Sequence, residues 1–226
     1  MAARSSPEIE ITMPVDVKIC GITDTMHAHA AAMHGAKWLG FVFFPPSPRN
    51  LKIKEAYKLA QALPEGPKRV GVFVNADDEL LKSAVQTLSL NAVQLHGSET
   101  PEDAARIKAM LGVRIIKAIS VSDEADLAKA DAYAGIVDRI LFDAKPPKDS
   151  LLPGGNAVTF PWHILKGKEL PYKWMLAGGL TAKNAVQAIK ASGATALDVS
   201  SGVETEPGKK ASYLIQAFLS AVKTAK

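Results

Sequence analysis

The chain has 226 residues, of which 47% are hydrophobic and 6% aromatic, and a formal net charge of +4. This length and apolar content suit a single domain, while the scattered basic residues argue against a nucleic-acid partner and favour a small anion. The single cysteine excludes an intramolecular disulfide and a multi-cysteine metal site, and it favours a reducing compartment, most simply the cytoplasm.

The N-terminal segment, residues 1–14, lacks the apolar stretch of a signal peptide, and we expect it to be a disordered preamble. No later run approaches the roughly 18 apolar residues of a membrane span, so we expect no membrane partner. Residues 15–226 are therefore expected to form one domain.

Eight short β-rich runs recur along that domain, and most are separated by segments with helical spacing. The predicted strands are 15–20, 38–43, 69–74, 92–96, 113–119, 139–143, 172–177 and 196–200. The predicted helices are 25–34, 53–63, 79–88, 101–110, 124–133, 182–191 and 211–223. Strict alternation of strand and helix predicts an α/β fold. Eight such units favour a single (β/α)8 TIM barrel over an open doubly wound sheet.

Polar caps and glycines mark the helix boundaries. The predicted N-caps are Thr23 or Asp24, Thr100 and Thr181, and the predicted stops are Gly35, Gly112 and Gly193. Two long loops, 45–50 and 144–161, follow predicted strand ends. Barrels build their active sites on that side.

Polar side chains alternate with apolar ones on several strands. In the first strand Asp16, Lys18 and Cys20 share one face, and the apolar residues between them share the other. The same alternation directs five further residues into the lumen: Gln94, His96, Asp143, Asp198 and Ser200. Burying so many polar groups near strand ends costs free energy, which indicates an active site if the strand register is right.

Two small-residue turns follow the last two predicted strands, at Gly178-Gly179 and at Ser200-Ser201-Gly202. Their backbone N–H groups can approach an anion, and their serine hydroxyls add donors. This is the usual phosphate position of a barrel. Each turn alone could be an ordinary glycine turn, but together they predict a phosphate site.

Cys20, at the end of the first strand, could be a nucleophile, a general base or an inert small hydrophobe. Lys18 lies on the same face, and the following turn brings a helix N-terminus nearby. Both neighbours are expected to favour the thiolate.

Asp143 could be a structural carboxylate tied to Lys145 or a general acid. With Asp198 in the same desolvated mouth, mutual repulsion would keep one carboxyl protonated. Lys18 and Lys117 could form Schiff bases, but inward lysines at mid-strand more often neutralise carboxylates.

His96 could bind substrate or be a solvated residue at the mouth. Arg49 lies in a proline-rich loop, where it could fork a carboxylate or remain a solvated charge. His27 and His29 lie two apart on a predicted helix and so point in different directions. His34 and His163 lack neighbouring carboxylates or cysteine, so we expect no metal.

Five ungapped blocks carry a resemblance to a known family. They are KICGIT at 18–23, GFVF at 40–43, VGVFVN at 70–75, VQLHG at 93–97 and DVSSGVE at 198–204. Occurring in this order and at barrel spacing, they resemble the phosphoribosylanthranilate isomerases of tryptophan biosynthesis, over about residues 17–210.

The resemblance implies a cofactor-independent Amadori rearrangement of N-(5-phosphoribosyl)anthranilate. It implies that Asp143 protonates the furanose oxygen and that Cys20 removes the C2 proton. It further implies that Arg49 meets the anthranilate carboxylate, that Asp198 holds the anthranilate amine, and that the two small-residue turns bind the phosphate.

Two other classes of function stay open at this stage. One is a different phosphate-binding barrel, such as a metal-dependent epimerase or a lyase that relies on an inward lysine. The other is a binding protein without turnover. A monomer and a homodimer fit the sequence equally well.

Overall fold

The structure is a computed structural model that describes residues 14–145, 154–155 and 158–225. The predicted preamble, apart from Pro14, and part of the predicted 144–161 loop lie outside the described residues. Eight strands close in the order β1 to β8 into a parallel barrel. The prediction of a single TIM barrel is confirmed.

The strands of the barrel are β1 Asp16–Cys20, β2 Trp38–Phe43, β3 Lys68–Phe73, β4 Ala92–Leu95, β5 Arg114–Val121, β6 Arg139–Ala144, β7 Trp174–Leu176 and β8 Ala196–Val199. A small hairpin follows, formed by β9 Glu204–Glu206 and β10 Lys209–Lys210. The α-helices are α1 Thr25–Met33, α2 Ile53–Ala60, α3 Asp78–Leu88, α4 Pro101–Leu111, α5 Ala185–Ser192 and α6 Ser212–Lys223. Within these ranges no helix has both the length and the apolar composition for crossing a bilayer.

Two predicted N-caps are confirmed and one is wrong. Asp24 accepts from the His27 N–H, and Thr100 forms a reciprocal capping box with Asp103. Thr181 does not cap α5. Instead the Asn184 side chain accepts from the Thr181 N–H and donates to the Gly179 carbonyl, at 2.8 and 3.0 Å.

The predicted helix at 124–133 is wrong, because Glu124–Tyr133 is a 3₁₀ segment. Asp123 accepts from the Ala125 N–H, and Asp126 accepts from both the N–H and the hydroxyl of Ser122. Such local bonds compete with the α-helical ladder. Between β6 and β7 the described residues contain only a short 3₁₀ turn, Trp162–Leu165, so strand and helix do not alternate strictly.

The lumen of the barrel is layered by polarity. Its lower part is an apolar plug of nine buried residues: Trp38, Val70, Ala92, Ile116, Ala118, Leu141, Met175, Ala177 and Ala196. Above the plug lie Lys18, Gln94 and Asp198, as the predicted strand alternation requires, and Lys18 pairs in register with Asp198. The apolar face of β1, Val17 and Ile19, packs against the helices. The predicted orientation of these strands is confirmed.

Gly40 on β2 leaves the space that the polar layer occupies. A Cβ at this position would lie 2.9 Å from the Cys20 Sγ and 3.0 Å from the Lys18 Cε. Real Cβ atoms rarely approach so closely, so a side chain at Gly40 would displace both groups.

We therefore expect Gly40→Ala to lower the free energy of unfolding by about 1–3 kcal/mol, the usual cost of overpacking. The closest clash is with Sγ, so the loss should be smaller when Gly40→Ala is made in a Cys20→Ala background. Denaturant unfolding of the two single variants and the double variant measures this difference. Strictly additive losses would contradict it.

Candidate active site

Two adjoining clefts open at the carboxyl ends of the strands, on the side predicted for the site. One is lined by the turns after β7 and β8, and the other by residues that include Cys20, Arg49 and His96. Four residues line both clefts: Asp143, Gly155, Asp198 and Ser200. A single elongated ligand can therefore occupy both.

The first cleft has the features of an anion site. Gly179 adopts φ +59°, and a Cβ on Gly202 would overlap the Leu180 carbonyl oxygen, so both turns depend on glycine. Gly179 and Ser201 line this cleft, and among the described residues the Gly179 N–H has no bond to a backbone acceptor. The N–H groups of these two turns can approach a phosphate at this end of the barrel.

Ser200 lines both clefts, but its hydroxyl is already engaged. It donates to the Cys20 carbonyl at 3.0 Å and accepts from the Lys210 Nζ at 3.3 Å. These bonds tie the end of β8 to the end of β1. Ser201, the next residue, lines only the first cleft.

Lys18 is the charged centre of the lumen. Its ammonium is fully buried and donates to the Asp198 carboxylate at 3.0 Å and to the Gln94 amide oxygen at 2.9 Å. Burial acts to lower the pKa of Lys18, but attraction to Asp198 and to the Cys20 sulfur outweighs it and raises that pKa. Lys18 is therefore a charged partner of Asp198.

Lys117 is neutralised in the same way, by Glu99 at 2.8 Å. The expectation that these inward lysines pair with carboxylates is confirmed. Neither lysine has the uncharged surroundings that would activate an amine for Schiff-base chemistry.

The thiol of Cys20 does not behave as expected. Burial raises its pKa above the ordinary value, and the nearby Asp198 carboxylate adds to the rise. Lys18 acts to lower the pKa, as predicted, but its charge is shared with Asp198. The predicted effect of Lys18 is confirmed in direction, but burial outweighs it, so the thiolate is not favoured overall.

Asp143 ends β6 with both oxygens in defined surroundings. Its Oδ1 accepts from the Ala144 N–H at 2.9 Å, and its Oδ2 lies 3.4 Å from the His96 Nε2. Among the described residues it has no bond to Lys145, so the structural alternative is not supported. The Asp198 carboxylate, in contrast, forms an ion pair with Lys18.

His96 is nearly buried, with its side chain 11% exposed, so it is not a solvated residue at the mouth. Its Nδ1 lies 3.0 Å from the Gln94 amide nitrogen. Both of its ring nitrogens therefore face protein groups.

Arg49 is buried and forked onto a carboxylate of the protein itself. Its Nε and Nη2 donate to the two oxygens of Glu204 at 2.8 and 2.7 Å. The buried Lys210 donates to the same carboxylate at 2.6 Å. Burial acts to raise the pKa of Glu204, but the two cations hold it below its ordinary value. The solvated alternative for Arg49 is wrong.

The sequence reasoning gave no role to Glu204 or Lys210. Glu204 lies 155 residues from Arg49 and begins a hairpin that the strand pattern did not reveal. The Nη1 of Arg49 is not used by Glu204 and lies beside Gly155, where a Cβ would be 2.8 Å from it. This edge of the guanidinium lines the second cleft.

Comparisons with known proteins agree on one family. A family model described as N-(5'-phosphoribosyl)anthranilate (PRA) isomerase matches residues 17–221. A relative from Paramagnetospirillum magneticum, named N-(5'-phosphoribosyl)anthranilate isomerase, is 50% identical over 211 residues, which cover 93% of this chain and 98% of the relative.

Two solved structures are also similar to this chain. One shows monomers derived from the dimeric phosphoribosylanthranilate isomerase of Thermotoga maritima, with 37% identity, a TM-score of 0.79, and coverage of 92% of this chain and 98% of that one. The other is a phosphoribosylanthranilate isomerase in complex with reduced 1-(o-carboxyphenylamino)-1-deoxyribulose 5-phosphate. It shows 36% identity, a TM-score of 0.80 and the same coverage.

The raised pKa of Cys20 can be measured directly, because the chain has no other cysteine. Only the thiolate reacts with iodoacetamide. We expect the pH midpoint of alkylation in the folded protein to lie above that of the unfolded chain, which serves as the control. A midpoint at or below the unfolded value would contradict the desolvation argument.

Proposed function

Because the chain belongs to the N-(5'-phosphoribosyl)anthranilate isomerase family, we propose that Cys20 and Asp143 are the base and the acid of its reaction. That reaction is the Amadori rearrangement of N-(5'-phosphoribosyl)anthranilate to 1-(2-carboxyphenylamino)-1-deoxyribulose 5-phosphate, a step of tryptophan biosynthesis. The observation that carries the proposal is that Cys20, on β1, and Asp143, on β6, line the same cleft.

The acid acts first. Asp143 gives its proton to the furanose ring oxygen as the C1–O bond breaks, which leaves an iminium between C1 and the anthranilate nitrogen. Cys20 then takes the proton from C2 in its thiolate form, which its raised pKa makes the minor form of the free protein, and the electrons of that C–H bond neutralise the iminium to form an enolamine. Tautomerisation to the ketone places a proton on C1 and removes one from the C2 hydroxyl. This series of steps needs only proton transfers, each of which a positioned side chain accelerates by about 10² to 10⁴.

The phosphate anchor sets the orientation of the sugar. We assign the phosphate to the N–H groups of Gly179, Ser201 and Gly202, with Gly178 and Ser200 shaping the two turns. Asp143 also lines this first cleft. A ribose anchored there can present its ring oxygen to the acid, while the anthranilate extends into the second cleft.

We assign the anthranilate carboxylate to Arg49, because Glu204 already fixes the guanidinium and leaves its Nη1 edge facing the cleft. Preorganisation of this kind lowers the entropy cost of binding. We further propose that Asp198 accepts from the anthranilate amine with the oxygen that Lys18 does not use. His96 was predicted to bind substrate, and we propose that it contacts the acid instead.

The enzyme acts on a phosphorylated small molecule. We expect it to work in the cytoplasm, which its single cysteine suits, as a monomer or as a homodimer like the isomerase of Thermotoga maritima. Sedimentation of the purified chain separates the two assembly states.

Purified protein should decrease the anthranilate fluorescence of fresh phosphoribosylanthranilate without added nucleotide. Cys20→Ser and Asp143→Asn should each lower kcat by about 10²-fold or more, because each removes one proton transfer. Binding of a product analogue, followed by calorimetry, should change little in both variants. Normal turnover in either variant would remove that residue from its assigned role.

Arg49→Lys should weaken binding of an anthranilate-bearing product analogue by about tenfold more than binding of ribose 5-phosphate, because lysine cannot form the planar fork. Both ligands use the phosphate anchor, so ribose 5-phosphate controls for any disturbance that follows the loss of the Glu204 pair. Equal weakening of the two ligands would place the carboxylate elsewhere.

A further inference from the structure

A continuous chain of polar contacts crosses the lumen from Asp198 to Asp143. It runs through Lys18, Gln94 and His96, with separations of 3.0, 2.9, 3.0 and 3.4 Å. Lys18 and Gln94 are completely buried. Polar groups at such depth cost free energy unless each is satisfied, so the direction of every bond in the chain matters.

Lys18 fixes which group donates and which accepts in each hydrogen bond along these contacts. An ammonium can only donate, so the Gln94 side chain must turn its oxygen toward Lys18. Its amide NH₂ then faces His96, and an amide NH₂ also can only donate. The Nδ1 of His96 must therefore be the acceptor, with its lone pair directed at Gln94.

A neutral imidazole with an unprotonated Nδ1 carries its proton on Nε2. This Nε2 is buried, has no hydrogen-bond partner among the described residues, and lies 3.4 Å from the Asp143 Oδ2. Gly154 closes over the pair. A Cβ there would lie 2.5 Å from Oδ2 and 3.0 Å from Nε2. The histidine thus places a donor 3.4 Å from one oxygen of the carboxyl group, without a hydrogen bond formed in the free protein.

The two oxygens of Asp143 are not equivalent. Oδ1 accepts from the Ala144 N–H at 2.9 Å and so has the character of the carbonyl oxygen. In the proposed role of Asp143 as the acid, the proton that it gives up is therefore assigned to Oδ2, the oxygen that faces His96.

We propose that Gln94 and His96 are positioning residues for the acid: Gln94 holds His96 as the Nε2–H tautomer, which donates to Oδ2 as Asp143 releases its proton. The proton leaves Oδ2 for the ring oxygen of the substrate, and the negative charge left on Oδ2 is met by a tightening Nε2–H bond. No proton enters or leaves His96. In the opposite tautomer, Nε2 would present a lone pair to Asp143 and compete with the substrate for the acidic proton.

This inference rests on the proposed role of Asp143, but the tautomer of His96 can be measured without turnover. The protein is labelled with ¹⁵N-histidine, and the ring nitrogens are read from long-range ¹H–¹⁵N NMR spectra. The His96 signal is identified by its loss in His96→Gln. We expect an unprotonated Nδ1 and a protonated Nε2.

Gln94→Glu is nearly isosteric but can only accept, so it should pull a proton onto Nδ1. We expect the NMR spectrum to show this protonation, and kcat to fall at least about tenfold, since a wrong tautomer can cost as much as roughly 10⁴. KM should stay within about threefold, because the substrate contacts are unchanged.

A second pair of variants leaves Gln94 and Lys18 untouched. The amide of His96→Gln reaches the place of Nε2 and can donate to Asp143, whereas the shorter His96→Asn cannot. We expect His96→Gln to retain at least about tenfold more kcat than His96→Asn, with both variants folded as judged by circular dichroism.

The outcomes separate the two proposals. A protonated Nδ1 in the wild-type protein, or equal kcat in His96→Gln and His96→Asn, would overturn the role of this contact chain. Normal turnover of Asp143→Asn together with the expected tautomer would instead overturn the assignment of the acid.

Discussion

The buried ammonium of Lys18 is the constraint on which the rest of the site depends. A fully buried charge is tolerated only when it is paired and its remaining donors are satisfied. The register of β1 against β8 supplies Asp198, β4 supplies Gln94, and the missing side chain at Gly40 leaves room for the lysine stem. The polar layer of the barrel is thus arranged around one cation. The proposed base, Cys20, contacts Lys18 in this layer, and the proposed acid, Asp143, is linked to the layer through His96.

Burial is the main reason why the thiol of Cys20 is not activated in the free protein. It raises the pKa of the thiol, and although Lys18 acts to lower that pKa, the nearby Asp198 carboxylate opposes Lys18. In the proposed reaction this balance changes once the ring opens, because the iminium places a positive charge on the substrate itself. The base is needed only after the acid has acted, when the positive charge of the iminium favours the thiolate that removes the C2 proton.

The alternation of strands and helices over eight units was enough to predict the barrel, and the alternation of polar and apolar residues predicted the inward-facing residues, because a strand repeats every two residues whatever surrounds it. Neither pattern could predict the direction of the Cys20 pKa shift, because burial of the thiol outweighs the attraction of Lys18. The 3₁₀ segment after β5 was also missed. There, aspartate bonds to nearby backbone groups override a composition that is otherwise typical of a helix. Nor could spacing relate Arg49 to Glu204, which meet only because the β9–β10 hairpin folds against the loop after β2.

That last contact matters for binding. Arg49 and Lys210 both pair with Glu204, so two cations share one carboxylate in a buried cluster at the mouth. The carboxylate holds the guanidinium in one orientation, yet it does not cancel the positive charge of the cluster. An arginine left free would have to lose side-chain entropy on binding, and one that was fully neutralised would attract an anion weakly. Sharing one carboxylate between two cations keeps the guanidinium rigid and leaves the mouth attractive to a doubly anionic substrate, with its phosphate at one end and its carboxylate at the other.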